Sequence, residues 1–467
     1  MKKKIFTSMM MMACLLPIGG WAEVETDSVA VVTGALDFTK ADSLPTGEGF
    51  TWANDTLKLS DLNIEAENEN GIVLPDGATI VLSGNNTINF KHTMQDTGAA
   101  IKGIGSLAFT GDGTLNINSS YEAINADGDL QINGGKMAIE MTGESSGGGI
   151  TASSASIQNS EINITTVADD GIMLTSQTPQ DTINNHSLTI SNSKINIQAT
   201  EEEGMVIYGT VTIDNNSVVS IYSGEKEAME AHEGLMVANS EVELNAPNYA
   251  ALYGNVISIS NSTYKALGNG MNSALRGGEA GATIANSWVE SSSPINIAST
   301  ENSFIRLVSN NEETPDATGI STVYGEYTLP ASIEITEGEE LIISENATLT
   351  VPSGLTLTNN GTATNEGTLH IKAGGALESS TSIDGIIIDD NQMVGTETIE
   401  AQSTRIYSAE GKIIVIAPQP TDVQIISMTG AVVASANVNG QQEFTNLASG
   451  VYIVRAGEEI VKLNVAH

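Results

Sequence analysis

The chain has 467 residues, 40% of them hydrophobic and 4% aromatic, and carries a formal net charge of −39 from 18 Lys+Arg against 57 Asp+Glu. A surface this acidic repels nucleic acid and anionic lipid and attracts divalent cations. The hydrophobic fraction, arranged periodically, excludes a disordered chain.

The N-terminus opens with Lys2, Lys3 and Lys4, continues with an apolar stretch from Ile5 to Ile18, and reaches Gly20-Trp21-Ala22. A basic start, a short apolar core and small residues at a cleavage point predict a secretory signal peptide over 1–22, with Glu23 as the mature N-terminus. The stretch is too short for a membrane span, so no membrane insertion is expected. Met11-Met12-Ala13-Cys14 loosely matches a lipoprotein cleavage site, but the residues after Cys14 are apolar where a lipid-anchored chain begins polar. Cleavage after Ala22 leaves a net charge of 15 − 57 = −42 and no cysteine. An exported chain without disulfides depends on its packed core.

Residues 23–66 contain Phe50-Thr-Trp52, Leu57-Lys-Leu59 and Leu62-Asn-Ile64, short alternating runs expected to cap a solenoid, with Trp52 buried among them. The solenoid itself is predicted over 67–310. A small residue followed by an apolar one recurs at Ala100-Ile101, Ala123-Ile124, Gly149-Ile150, Gly171-Ile172, Gly204-Met205, Ala228-Met229, Ala251-Leu252 and Ala274-Leu275, in steps of 23, 26, 22, 33, 24, 23 and 23. The long step contains an insertion, 177–187. Each unit then alternates again, as in Leu130/Ile132 or Val211/Ile213. Two residues later comes an asparagine: Asn159, Asn192, Asn215, Asn239, Asn261 or Asn286. Three residues beyond that sits another inward candidate: Ile162, Ile195, Val218, Val242, Tyr264 or Val289. Three short period-2 strands per unit predict one coil of a right-handed parallel β-helix, in an all-β protein. Asparagine tolerates left-handed backbone geometry at the turn, and Gly134 fills the same slot one unit earlier. Coils stacked about 4.8 Å apart would let the asparagine amides bond along a ladder.

Residues 311–400 read as shorter coils or a cap, and 401–411 as a linker. Residues 412–467 alternate as a small C-terminal β-sandwich. Met428-Thr-Gly430, Leu447-Ala-Ser-Gly450-Val451-Tyr452-Ile453-Val454 and Val461-Lys462-Leu463 make this module resemble the C-terminal sorting domain of the type IX secretion system. Pro418-Gln-Pro420 stands where that family usually has Pro-Asn-Pro. The resemblance implies a partner in the export machinery and a secreted or cell-surface location.

Within the β-helix, Ala126-Asp127-Gly128-Asp129-Leu130-Gln-Ile132-Asn-Gly-Gly135 and Ala168-Asp169-Asp170-Gly171-Ile172 resemble a family of exported bacterial carbohydrate-binding β-helix proteins. That family has a pectate-lyase-like fold, and the resemblance implies calcium as a cofactor and acidic polysaccharide as a partner, without cleavage.

The residues themselves point to the same chemistry along another line. Two positions before the first apolar residue stand Glu122, Gly148, Asp170, Glu203, Glu227 and Ala250 in successive units. Asp170, Glu203 and Glu227 in adjacent coils, with Asp169 and Glu202 alongside, would repel one another unless a cation joined them. Calcium suits such a set of oxygens, and a solvated acidic edge is the bland alternative. Tyr208 and Tyr253, each before a glycine, with Glu233 between them in sequence, form a candidate saccharide platform. Catalysis is not expected: a lyase needs a basic residue beside the ion, only Arg276 and Arg306 are read as lying in or near the helix, neither sits by the acidic column, and the histidine and arginine partners of fold-related hydrolases are absent. A surface adhesin or structural passenger without a small ligand is the rival function.

Overall fold

The computed structural model describes residues 30–67, 69–92, 98–143, 147–175, 186–269, 274–277, 281–308, 319–393, 404–409 and 411–466. The expected signal peptide with Cys14, and most of the insertion, lie outside the described residues. The chain forms two compact units divided between Asp389 and Asp390.

The first unit is a parallel β-helix with three walls. The ten-stranded sheet begins at Leu36–Asp37 and ends at Leu275–Gly277; twelve- and fifteen-stranded sheets form the other two walls. Strands pair parallel with the equivalent strand one coil away, so identical positions stack: Ile101 on Ile124, Ile124 on Ile150, Ile150 on Ile172, Ile172 on Met205 and Met205 on Met229. All six side chains are buried. Each inward Ile or Met contributes roughly 1.5–3 kcal/mol by leaving water, and the column repeats on all three walls.

The turn after each strand of the twelve-stranded sheet is where backbone chemistry decides the register. Asn159, Asn192, Asn215, Asn239, Asn261 and Asn286 all have φ between 48° and 54°, and Gly134 has φ 94°. The amide ladder is partial. Asn192 Nδ2 donates to Asn159 Oδ1 at 2.8 Å and Asn159 Nδ2 to Asn133 Oδ1 at 2.9 Å, whereas Asn215 Nδ2 turns to Ser191 Oγ at 2.8 Å.

The unbroken ladder is made of serines. Backbone N–H groups of Gly134, Ser160, Ser193, Ser217, Ser240, Ser262 and Ser287 each donate to the hydroxyl of the next serine in the stack, ending at Ser303, over 3.0–3.2 Å. These buried donors lie at corners where the strand ladder is interrupted, and the hydroxyls satisfy them.

One expected inward residue is corrected. Val218 is 38% exposed and Val219 is buried, pairing with Ile195 and Val242. The turn there holds two left-handed residues, Asn215 and Asn216, so the strand starts one residue later and every following side chain changes face. Ile162, Ile195, Val242, Tyr264 and Val289 are buried as expected.

The N-terminal segment is less of a separate cap than expected. Ala30–Thr33, Leu36–Asp37 and Leu62–Glu67 already pair parallel within the stack, and only Phe50–Ala53 runs antiparallel, against Thr56–Ser60. Trp52 is half-buried and lies 4.9 Å from Phe38, which meets Phe50 edge-on. At the other end of the long stack, Trp288 stacks on Phe304 at 4.4 Å beside Tyr327. Beyond it the chain reverses: Ser303–Leu307 pairs antiparallel with Ile320–Tyr324, after which shorter parallel coils continue through Ile386–Asp389.

In the second unit, Lys412–Ser427 is one long strand rather than two. It pairs with Val432–Phe444 and Gly450–Ala456, and Glu459–Val465 completes the sheet beside Gly450–Ala456. Residues 405–409, expected in the linker, form the first strand of this antiparallel module, because Ile406 packs against its core. The core of the small sandwich is Ile413, Val415, Val423, Ile425, Tyr452 and Val454 with their neighbours.

Candidate functional site

The outer face of the ten-stranded sheet carries the chemistry. Each coil enters that wall through a short bend, and residues two and three before the first inward position line up in columns. The inner of these columns is Glu122, Gly148, Asp170, Glu203, Glu227, Ala250; the outer is Tyr121, Gly147, Asp169, Glu202, Lys226, Tyr249. A third outward column, one residue after the inward position, runs Asn125, Thr151, Met173, Val206, Glu230, Tyr253.

Two carboxylate triads form where the columns meet. Oxygens of Asp170, Glu202 and Glu203 lie within 4.8 Å of one another, and so do oxygens of Glu203, Glu227 and Glu230. Glu203 belongs to both. Asp170 and Glu227 are buried, and Glu203 is nearly so. Burial first, then the charge of Glu203, pushes the Asp170 carboxyl well above the usual carboxylate range. Burial also raises Glu203. Without a cation Asp170 therefore holds a proton at neutral pH that a free carboxyl would already have released.

Lys226 answers part of this charge. Its Nζ lies 3.1 Å from Glu202 Oε2 and 3.7 Å from Glu203 Oε1. The expectation that no basic residue sits by the acidic column is thereby corrected. It weighed arginines, and the basic group arrives from the outer column as a lysine. Arg306 is remote, paired with Glu339 at 3.0 Å.

Asp169 does not join either triad. Its Oδ1 accepts from the Gly147 N–H at 2.6 Å, one coil toward the N-terminus, and burial lifts its carboxyl to about 6.

The aromatic group differs from the expected platform. Tyr208 and Tyr253 are not equivalent. Tyr253 is in register with Glu230, whereas Tyr208 lies two residues further along its coil, after Ile207, whose partner is Ala231. The residue between the rings is His232, not Glu233. His232 stacks on Tyr208 at 4.6 Å and 14°, and meets Tyr253 edge-on at 5.4 Å. His232 Nε2–H donates to Glu230 Oε2 at 3.0 Å. Glu233 is exposed, outside this stack.

Sequence reasoning thus missed Glu230, His232 and Lys226. Their signal was present: counting from the inward Met229 places Glu230 outward beside Val206 and His232 beside Tyr208. His186, also within the repeat, is buried and donates through Nδ1 to Ser153 O at 2.7 Å, a structural bond.

A family model described as "Carbohydrate-binding domain-containing protein" matches residues 53–299. No curated protein and no solved structure matches the chain. The matched span covers the coils that build both triads and the aromatic stack.

Proposed function

Since the chain belongs to the carbohydrate-binding domain-containing family, we propose that the outer face of its ten-stranded sheet binds acidic polysaccharide through a calcium ion, without cleaving it. The observation that carries this reading is the place of Glu230. It closes the triad with Glu203 and Glu227, and it also holds His232 in the aromatic stack with Tyr208 and Tyr253. A cation and a sugar-stacking surface would therefore share one carboxylate.

The electrostatics supply the reason for an ion. A protein of formal charge −39 and a polyuronate are both anions, so direct contact is repulsive at moderate salt. Calcium takes six to eight oxygens in loose geometry, enough for protein carboxylates on one side and a uronate carboxylate on the other. Entry of the ion would displace the proton held by Asp170 and compete with Lys226 for Glu202 and Glu203. Tyr208 and His232 offer ring faces to the sugar, worth about 0.5–1.5 kcal/mol beyond their buried area.

Catalysis is not part of this reading. A basic residue fit to take a proton should be neutral, and Lys226 is held in its charged form by Glu202 and Glu203. For the second unit, we infer an export role through sorting machinery, which places the solenoid outside the cell; what supports this is the sequence resemblance over 412–465.

The test is retention of the full chain on immobilised polygalacturonate and on a neutral glucan, with calcium or with chelator. Retention on the acidic polymer alone, lost with chelator and restored by calcium, supports the reading. Equal behaviour on both polymers and in both buffers favours a passenger whose acidic cluster is satisfied by Lys226.

A further inference from the structure

A second group of oxygen-bearing side chains lies toward the N-terminus of the same face, around Gly147 and Gly148. These two glycines interrupt the outward columns between Glu122 on one side and Asp169 and Asp170 on the other. A Cβ on Gly147 would meet Glu122 Cγ at 2.6 Å, so the Glu122 side chain folds over that glycine from the coil before it. Asp169 reaches the same glycine from the coil after it, through the 2.6 Å bond to its N–H. A Cβ on Gly148 would meet Thr151 Oγ1 at 2.9 Å, so the threonine hydroxyl lies against the adjoining glycine.

Two of these groups, Glu122 and Asp169, are anchored, and two, Asp169 and Thr151, are left incomplete. Asn125 Nδ2 donates to Glu122 Oε2 at 2.7 Å and anchors that carboxylate by one oxygen. Asp169 is 3% exposed, and its Oδ2 has no hydrogen-bond partner among the described residues. Thr151 is 5% exposed, and its Oγ1 likewise has none. A buried carboxylate oxygen and a buried hydroxyl left unpaired are costly unless something is bound there.

We propose that Glu122, Asp169 and Thr151 form a second divalent-cation site beside Gly147 and Gly148, separate from the cluster of Asp170, Glu203 and Glu227. The donor set is all oxygen, with two carboxylates to match a double charge and a hydroxyl to add a neutral ligand. That is the chemistry of a hard ion such as calcium, whose flexible coordination also accepts water. Asp169 thereby serves a different ion from its neighbour Asp170, although the two adjoin in sequence. The site stands on its own residues, whether or not the first cluster takes an ion.

Calorimetric titration of the full chain with calcium tests it, using isosteric variants checked by circular dichroism. The wild type should bind two ions. Asp169→Asn and Glu122→Gln should each abolish the same one, or weaken it at least tenfold, while Asp170→Asn abolishes the other. Thr151→Val should weaken the Asp169 ion and leave the second unchanged. A wild type that binds one ion, lost in Asp169→Asn but kept in Asp170→Asn, would support this site and sink the proposed shared ion. Loss of a single ion by Asp170→Asn alone, loss of one common ion by both variants, or no calcium uptake would overturn the second site.

Discussion

His232 lies flat on Tyr208, ring centroids 4.6 Å apart and planes within 14°. The stack sits one residue from Glu233, yet only His232 lies between the tyrosine rings, because Tyr208 and His232 follow inward residues that pair across coils. Tyr208→Ala and His232→Ala should each weaken saccharide binding about 3- to 10-fold, the size of one stacking contact. Glu233→Gln should leave it unchanged. Affinity electrophoresis against polygalacturonate reads all three. A loss in Glu233→Gln equal to that in Tyr208→Ala would return the platform to the arrangement expected from sequence.

The corner ladder predicts two different stability losses at adjacent residues. Asn192 has φ 48°, so Asn192→Leu should destabilise by about 1–2 kcal/mol through left-handed strain, while Asn192→Gly should be much milder. Ser193→Ala removes the hydroxyl that accepts from the Ser160 N–H and should cost about 1–3 kcal/mol, the price of a buried unpaired donor. Urea unfolding followed by circular dichroism distinguishes them. A mild Ser193→Ala would make the serine column incidental.

The fold was legible in sequence where one physical demand repeats at one spacing. Asn159, Asn192 and the others mark the corners because few residues accept positive φ. The serines beside them carry the continuous hydrogen bonds, and went unread because serine is common in turns and its bond is visible only once coils are stacked. Val218 was misplaced because Asn215 and Asn216 share one corner, a one-residue addition that fixed-spacing counting cannot see. At the site, Asp170, Glu203 and Glu227 were legible as a column. Glu230 was not, because it lies on another column and joins the triad by side-chain reach. Tyr208 and Tyr253 share a local Tyr-Gly pattern, but their register is set by Met205 and Leu252, three residues and one residue before them.

Acid titration gives a prediction of known sign. Burial raises Asp169 from 3.8 to about 6, with a further push from Glu202, and Asp170 is raised as well. The folded protein therefore holds protons that the unfolded chain releases, and the stabilisation present below about pH 4 is lost as pH rises through about 6 for Asp169 and about 8 for Asp170. In chelator, the thermal midpoint should fall over that interval, and Asp169→Asn should flatten the fall. Saturating calcium should reverse it above pH 6, since the ion binds the ionised form. A midpoint that rises with pH in chelator for the wild type, through this window, would show that these carboxylates are not proton-loaded in the folded state.

The central claim is that one calcium is shared by the protein and an acidic sugar, and thermodynamic linkage tests it most directly. Calcium affinity should be measured by calorimetry with and without a saturating oligogalacturonate, and sugar affinity with and without saturating calcium. A shared ion requires that each ligand tighten the other by the same factor, expected at roughly tenfold or more, and that Asp170→Asn abolish this coupling. Calcium and oligogalacturonate binding with no mutual effect would contradict the account, leaving the ion as a staple between coils and the sugar held by other means.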